Sequence, residues 1–170
     1  MEEKRNALPE NAQRELAPGE EYKPLLGAER KWAEVTPYSV TLGLLMVVIF
    51  SAAAAYLGLR VGQVFEAAIP IAIIAVGLTS ALGKKEGLGQ NVIIQSIGGC
   101  SGAVVAGAIF TLPAIYILGV DVNFMQMFLS SLLGGVLGIL FLIPFRKYFV
   151  KDMHGKYPFP EATATTEVLV

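Results

Sequence analysis

The chain has 170 residues, of which 54% are hydrophobic and 16% charged, and its mean hydropathy is +0.59. A soluble domain carries about 25% charged residues, and here eight of the 14 acids and six of the 13 bases lie in the first 37 positions. This composition predicts an integral membrane protein. A net charge of −1 with scattered basic residues gives no electrostatic argument for nucleic-acid binding, and we expect no nucleic-acid partner. One cysteine and one histidine exclude an internal disulfide, and we expect no metal site.

The first 37 residues form a polar tail before the apolar part of the chain begins. This tail contains four prolines and lacks the apolar core of a secretory signal peptide. We expect it to lie in the cytoplasm, with residues 25–35 forming either a short interfacial helix or a plain linker. Residues 38–170 then make up the predicted membrane domain.

Two predicted membrane spans follow the tail. Residues 38–59 are 22 uncharged residues, which as a helix cover about 33 Å and match the hydrocarbon core. Residues 62–83 form the second span and contain one acid, Glu66, with Pro70 one helical turn beyond it. An acid inside a span is a candidate for proton handling, so Glu66 is the proton-coupling candidate. The alternative is an interfacial glutamate or an ion pair with Arg60.

The third apolar region is too long for one straight span. Residues 87–120 run for 34 positions without a charge, about 50 Å as a continuous helix against a core of about 30 Å. Glycine and proline mark the places where a bend or break costs least. We therefore expect the third span, 88–119, to be interrupted, with helix-break and packing positions at Gly98, Gly99, Gly102 and Pro113.

Polar side chains concentrate at the start of this third region. Asn91, Gln95, Gly98 and Gly102 follow at spacings of four, three and four residues, so on a helix they share one face. Amides in an apolar run need partners in a neighbouring helix or a water-filled cavity. The face is therefore either a packing seam of small residues or a seam that also lines a polar path. For such a path the candidate substrate-contacting residues are Gln90, Asn91, Gln95 and Ser96.

The fourth predicted span covers residues 122–145 and repeats the small-residue spacing at Ser130, Gly134 and Gly138. A partial further helix is expected at 161–170. With four crossings, twelve of the 13 basic residues fall on one side and Arg60 alone falls on the other. Because short cytoplasmic loops collect Lys and Arg, this distribution predicts a cytoplasmic amino terminus.

No enzyme site is recognisable in the sequence. The glycine-rich string at 98–107 matches neither the dinucleotide-binding pattern nor the P-loop pattern, and it lies inside a membrane-length apolar run. Ser96 and Ser101 have no histidine in the same run to act as a base. We therefore expect a protein that is not an enzyme and that needs no cofactor.

Four short strings resemble the amino-terminal part of one transporter family. They are AYLGLRVG at 55–62, QNVIIQSI at 90–97, AGAIFTLPA at 106–114 and YPFPEATA at 157–164. In this order they resemble the oligopeptide transporter family, nearest its prokaryotic and yellow-stripe-like branches. The resemblance implies a secondary transporter with many more than four spans that moves small peptides or metal chelates, typically with protons. In the family pattern the position of Gln90 is often acidic, so the glutamine here removes one candidate proton-titrating group.

Together these features predict an all-α, polytopic membrane bundle of about four transmembrane helices. The expected function is part of a proton-coupled secondary transporter for small peptides or peptide-like metal chelates, of which this chain is a fragment. The expected partners are the lipid bilayer, the substrate, and the remaining transporter spans or another copy of the chain. The alternative is a four-span structural or assembly subunit that is complete in itself and packs through its glycine rows.

Overall fold

The structure, a computed structural model, describes residues 8–27, 29, 32–84 and 87–170. Part of the predicted tail and part of the predicted basic loop, at positions 85 and 86, therefore lie outside the described residues. Within the described ranges there is no strand, and the α-helices are α1 at Pro37–Val61, α2 at Ala68–Ala81, α3 at Leu88–Ile117, α4 at Phe124–Lys147 and α5 at Pro160–Leu169. A short 3-10 helix occupies Glu10–Ala12, and a π-helical turn, Tyr148–Asp152, continues α4.

The predicted all-α membrane fold is confirmed. Among the described residues, three helical segments are long and apolar enough to cross a membrane: Pro37–Val61, Leu88–Ile117 and Phe124–Asp152. The chain divides into two compact units. The first includes Lys23–Phe110 and Phe159–Val170, and the second contains Glu10–Tyr22 and Thr111–Pro158.

Helix α1 has clear start and stop signals. Thr36 caps its amino terminus, because the Thr36 hydroxyl accepts from the Ser39 amide at 3.1 Å and the Ser39 hydroxyl accepts from the Thr36 amide at 2.9 Å. Pro37 follows at the first helical position, where its missing N–H is no loss. The helix ends at Gly62, whose φ of 74° is the left-handed conformation that glycine adopts without strain.

The predicted second span is only partly helical. Residues 62–67 have no regular structure, and α2 then provides 14 residues, about 21 Å of helix. The expected span at 62–83 is therefore an irregular segment followed by a short helix. Pro70 lies in the first turn of α2, where its ring meets no preceding helical carbonyl.

The expected glycine interruption of the third span is not found. Helix α3 runs unbroken from Leu88 to Ile117, through Gly98, Gly99, Gly102 and Pro113. A glycine weakens a helix by only about 1 kcal/mol, whereas each backbone group left unpaired in an apolar medium costs several kcal/mol. The continuous helix is therefore the less costly solution. Its 30 residues make it longer than the bilayer core is thick, so we expect it to tilt in the bilayer or to extend beyond the core.

In the first unit, α1 and α3 run in the same direction and α2 runs in the opposite one. Gly43 of α1 lies against Ile97 of α3, and Gly58 lies against Ile109. Tyr38, at the start of α1, meets Thr79, at the end of α2. Helix α5 packs against α2. The buried apolar cluster of this unit consists of Met46, Ala67, Ile71, Ala75 and Ile94.

In the second unit, the residues of α4 are exposed except for Met127, which is half-buried. Asn123 caps it, since its side chain accepts from the Met125 amide at 3.3 Å while the Gln126 side chain accepts from the Asn123 amide at 3.1 Å. None of the residues of α4 is buried by the described part of the chain. Its apolar surface is thus available to lipid or to further protein.

A turn of the tail in the second unit is held by an ion pair. The Arg14 guanidinium donates to Glu20 at 2.7 Å, and the Ala17 amide donates to the same carboxylate at 2.9 Å. The Arg14 and then the Ala17 hydrogen bond lower the pKa of Glu20 from 4.5 to about 2. His154 Nε2 lies 3.0 Å from the Asn11 carbonyl, which accepts its proton.

Candidate functional site

A buried polar cluster joins α1, α2 and α3 at one end of the first unit. The Thr79 hydroxyl donates to Asn91 Oδ1 at 2.6 Å. The Tyr38 hydroxyl lies 3.5 Å from Thr79 Oγ1, within reach to donate to it. Thr79 is 2% exposed and Asn91 5%. Because apolar surroundings offer these groups no water, the cluster satisfies them and ties the three helices together.

A lysine lies beside this cluster. Lys84 Nζ is 3.4 Å from the centre of the Tyr38 ring and donates to Gln90 Oε1 at 3.2 Å. The ring face and the amide oxygen both carry negative potential, so they stabilise the ammonium charge. No described carboxylate lies within ion-pair distance of Lys84. The charge is thus held in place without a described counter-ion.

A cavity of about 200 Å³ opens next to these residues. Its polar lining comes from the end of α2, the following loop and the start of α3, and apolar side chains of α2 and α5 complete the wall; the lining includes Val76, Thr79, Ser80, Lys84, Asn91 and Leu169. The cavity is smaller than the pockets of about 300–1,000 Å³ that enclose whole small ligands. It has room for one end group of a larger molecule.

The structure separates the four predicted path residues into two pairs. Gln90 and Asn91 are buried and belong to the polar cluster. Gln95 is half-buried, with its side-chain nitrogen beside Gly99. Ser96 is exposed, and its carbonyl accepts a hydrogen bond from the Cys100 thiol at 3.2 Å. Asn91, Gln95, Gly98 and Gly102, the four residues of the predicted face, are all buried or half-buried, whereas Ser96 is exposed.

Glu66 lies against the middle of α3. A methyl group placed on Gly102 would come within 3.3 Å of Glu66 Oε2 and of the Phe65 carbonyl. Gly102 is the fifteenth of the thirty residues of α3, so the acid sits at mid-helix depth. No described base lies within ion-pair distance of it, and Arg60 instead lies 5.9 Å from the Tyr56 ring centre. This geometry disfavours an Arg60–Glu66 ion pair.

The glycines of α3 act as packing positions rather than as breaks. A methyl group on Gly98 would lie 2.9 Å from Ile71 Cδ1 and 3.2 Å from Met46 Cβ. The corresponding group on Gly99 would touch Gln95 and Ala68 less closely. Close approach of α1 and α2 therefore requires a bare backbone at Gly98. Pro113 lies further along the same helix, in the second unit.

Next to this seam lies the buried hydroxyl of Ser101. Among the described side chains it is the buried polar group that makes no hydrogen bond. Within the described residues no group of three or more His, Cys, Asp or Glu side chains is arranged to hold a metal ion.

The sequence analysis did not single out Tyr38, Thr79 or Lys84. In the sequence Tyr38 is only the first residue of the apolar run at 38–59, and Lys84 is one of the basic residues that indicate orientation. Thr79 sits in an apolar run where a threonine is unremarkable. The available signal was the short distance in sequence between Thr79 and Asn91, two polar groups that flank one tight loop and so face each other across an antiparallel helix pair.

In comparisons with known proteins, a family model and a relative match the chain, and no solved structure does. The family model described as "OPT oligopeptide transporter protein" matches residues 34–170. A protein of Haemophilus influenzae described as "Putative oligopeptide transporter" is 34% identical over 116 residues. That match covers 67% of this chain and 18% of the relative, so the chain corresponds to a minor part of the relative's length. No solved structure matches the chain.

Proposed function

Because the chain belongs to the oligopeptide transporter family and is a multi-pass membrane protein, we propose that it contributes part of the solute path of a proton-coupled transporter for small peptides or peptide-like metal chelates. The observation that carries this proposal is the half-helical second crossing. There the irregular residues 62–67 and Glu66 lie against the glycines in the middle of α3.

Irregular backbone at membrane depth is a feature of solute pathways. Lipid leaves unpaired backbone groups unsatisfied, so such backbone persists only inside protein or beside a water-filled cavity. Secondary transporters use it, because the unwound carbonyls and the amino terminus of a half-helix bind polar and charged solutes. Helix α2 begins at mid-depth with no side-chain cap on its first amides, which suits the carboxylates and amides of a peptide.

Glu66 is the group that supports proton coupling in this proposal. Its carboxylate lies beside Gly102, where α3 presents bare backbone instead of a side chain. An ionisable residue at membrane depth is costly to keep, so its presence makes it a candidate for a transport step. Protonation of Glu66 neutralises the charge in the path, which would couple solute movement to the proton gradient.

The polar start of α3 supplies the solute-contacting side of the path. Gln90, Asn91 and Gln95 carry amides, which pair with the backbone groups of a peptide. Ser96 is exposed in the first unit, so it can line the path only if protein from outside this unit packs beside it. The remaining transporter spans, or another copy of the chain, fill that place in the proposal and also cover α4.

The charge distribution supports a cytoplasmic amino terminus in the same proposal. Lys84 lies at the end of the first unit that holds the Tyr38 and Asn91 contacts. By the positive-inside rule this end faces the cytoplasm. Solute imported along α3 would therefore pass Glu66 first and the polar cluster afterwards.

Uptake of a labelled tripeptide tests the proposal. We expect cells that express the complete reading frame to accumulate the peptide faster at acidic external pH than at neutral pH. Glu66→Gln should abolish this pH dependence, because the residue can no longer exchange a proton. Gln95→Leu should lower uptake at both pH values, because an amide of the path is lost.

Glu161→Gln is the matched control, since Glu161 is an exposed acid in the first turn of α5. It should leave the pH profile unchanged. An unaltered profile in Glu66→Gln would remove the residue from coupling, and peptide uptake at the level of untransformed cells would contradict the transport function itself.

A further inference from the structure

The amino-terminal tail is docked on the loop that follows α4 and its π-helical turn. His154 Nε2 donates to the Asn11 carbonyl, and the two atoms are 3.0 Å apart. The Tyr22 ring packs on the same imidazole, with 5.2 Å between the two ring centres. Both contacts lie within the second unit, which contains Glu10–Tyr22 and Thr111–Pro158. The side chain of His154 is thus held by two contacts with the tail.

Gly155 brings the tail and this loop into backbone contact. Its φ of 71° is left-handed, and a methyl group placed on it would overlap the backbone of Arg14 and Glu15. The position therefore requires glycine both for its conformation and for the close approach of the tail. The tail meets the loop as an ordered turn, because Arg14 and the Ala17 amide both donate to the Glu20 carboxylate.

The two docked segments carry opposite charge. Residues 10–22, the tail turn, contain four glutamates and one arginine, and that arginine is paired with Glu20. Residues 146–156, the basic segment, contain one aspartate and four exposed basic residues: Arg146, Lys147, Lys151 and Lys156. Among described residues no ion pair joins these bases to the tail turn. Their charge attracts the tail turn at long range and is still open to a further anion.

The basic segment lies where a membrane protein meets lipid headgroups. Arg146 and Lys147 end α4, and Lys151 belongs to the π-helical turn that ends the apolar segment Phe124–Asp152. In the proposed orientation this end faces the cytoplasm. Lys and Arg clustered directly after a membrane helix bind anionic lipids, and each contributes about a fivefold gain in affinity. The same lipids repel the glutamates of the tail turn.

We propose that the basic segment binds anionic lipid headgroups and that the tail turn competes with these lipids for it. In a bilayer without anionic lipid, the tail turn stays docked on His154 and Gly155. Anionic lipid supplies phosphate oxygens that accept charge-assisted hydrogen bonds from the basic side chains. It also repels the tail turn, which then leaves the loop. Lipid binding at this surface does not require that the chain transports a solute.

His154 provides the probe of docking, since it is the only histidine of the chain. The test uses NMR of the full chain, labelled with ¹⁵N at histidine, in nanodiscs of phosphatidylcholine alone or of equal parts phosphatidylcholine and phosphatidylglycerol. In phosphatidylcholine, Tyr22→Leu should shift the imidazole signals, because the ring current of Tyr22 is lost. In the mixed nanodiscs, Tyr22→Leu should leave these signals unchanged, because the tail turn has already left the loop.

Variants of the basic segment test the lipid contact. Lys151→Gln and Lys156→Gln, each made singly, should lower the affinity for anionic lipid by about fivefold. A severalfold larger fraction of phosphatidylglycerol should then be needed to release the tail turn. Arg60→Gln is the matched control, because it removes one exposed cation from the first unit, and it should leave this fraction unchanged.

A glycine variant tests the docking itself. Gly155→Ala should release the tail turn even in phosphatidylcholine, because the new methyl group overlaps the backbone of Arg14. Gly119→Ala is the matched control. Gly119 lies in the same unit and has a left-handed φ of 67°, but a methyl group there would meet nothing within 4 Å. This control should keep the His154 signals of the wild type.

The outcomes separate docking, competition and the kind of ligand. No effect of Tyr22→Leu in phosphatidylcholine would overturn the docking, and an equal effect in both kinds of nanodisc would overturn the competition. Release of Lys151→Gln and Lys156→Gln at the wild-type fraction of phosphatidylglycerol would remove the basic segment as the lipid site. Inorganic phosphate, added to phosphatidylcholine nanodiscs at constant ionic strength, should not release the tail turn. Release by phosphate would overturn the assignment to lipid.

Discussion

The glycine rows of α3 and α4 have the same spacing in the sequence and different surroundings in the structure. At Gly98 and Gly102 an added methyl group would meet α2 or the segment before it within 3.3 Å. At Gly134 and Gly138 the same group would meet nothing within 4 Å. The glycine spacing therefore shows that a second helix could approach closely. Whether a helix does pack there depends on the rest of the fold.

The two units also differ in whether their polar contacts are buried or exposed. In the first unit, Thr79 and Asn91 bond to each other while buried. In the second unit, the Arg14–Glu20 pair is exposed to solvent. A buried contact between helices holds their relative position, whereas an exposed ion pair contributes little and is screened by salt.

The largest expected effect comes from filling the packed glycine row. Gly98→Val should lower the free energy of unfolding by about 1–3 kcal/mol, because the new side chain overlaps Ile71 and Met46. Gly134→Val carries the same change in helix propensity and should alter stability by less than about 0.5 kcal/mol. Unfolding in the bilayer, driven by steric trapping, measures both. Equal destabilisation would show that α4 is also packed, against further spans or a second copy.

A smaller effect is expected from breaking the buried contact between α2 and α3. Thr79→Val keeps the shape of the side chain and leaves Asn91 Oδ1 without its donor, which should cost about 1 kcal/mol, as for hydrogen bonds between membrane helices. Thr41→Val is the control, since the exposed Thr41 hydroxyl donates to the Pro37 and Tyr38 carbonyls of its own helix and to no other described helix. The same unfolding assay should find the control close to wild type, and a loss of equal size in both variants would contradict the role of the buried bond.

The smallest effect concerns the exposed ion pair of the second unit. The pKa of Glu20 is about 2, below its ordinary value of 4.5, so the contribution of the pair is complete above about pH 4.5 and is lost as the pH falls through about 2. Carbon NMR of the Glu20 carboxyl should follow this titration in the full chain.

Arg14→Gln should raise the pKa of Glu20 back toward 4.5, because the first and largest cause of the shift is the Arg14 hydrogen bond. The shift should also shrink as salt is added. A pKa that stays near 2 in Arg14→Gln would assign the effect to the Ala17 amide instead. Lys23→Gln, which removes a cation outside the turn, serves as the control.

Much of the fold follows from the sequence, because long apolar runs bounded by charge leave few alternatives. The run at 38–59 corresponds to α1 at Pro37–Val61, and the run at 122–145 corresponds to α4 at Phe124–Lys147. Thr36, Pro37 and Asn123 also signal these helix starts locally. The family could also be predicted from the sequence, because the resemblance of the four short strings depends only on their residues and their order.

The interruption of the bundle could not be placed in the same way. Glycine content predicted a break in α3, whereas α3 is continuous and irregular backbone lies at residues 62–67, in the predicted second span. Local propensity favours a break at Gly98 or Gly102, but contacts with Ile71 and Glu66 make the bare helix a packing surface. The Gly98–Ile71 and Gly102–Glu66 contacts join residues 27 and 36 positions apart in the sequence, so no local pattern shows them.

The sequence by itself determined the membrane class, the helical content, the family, and the polar character of the start of α3. These properties depend on composition and on the length of apolar runs, which the bilayer thickness constrains directly. Only the tertiary structure decided that Asn91 meets Thr79, that Lys84 lies over Tyr38, and that Glu66 reaches the middle of α3. Helices that are apolar on every side carry no signal for which face meets which neighbour, and that choice is made by packing.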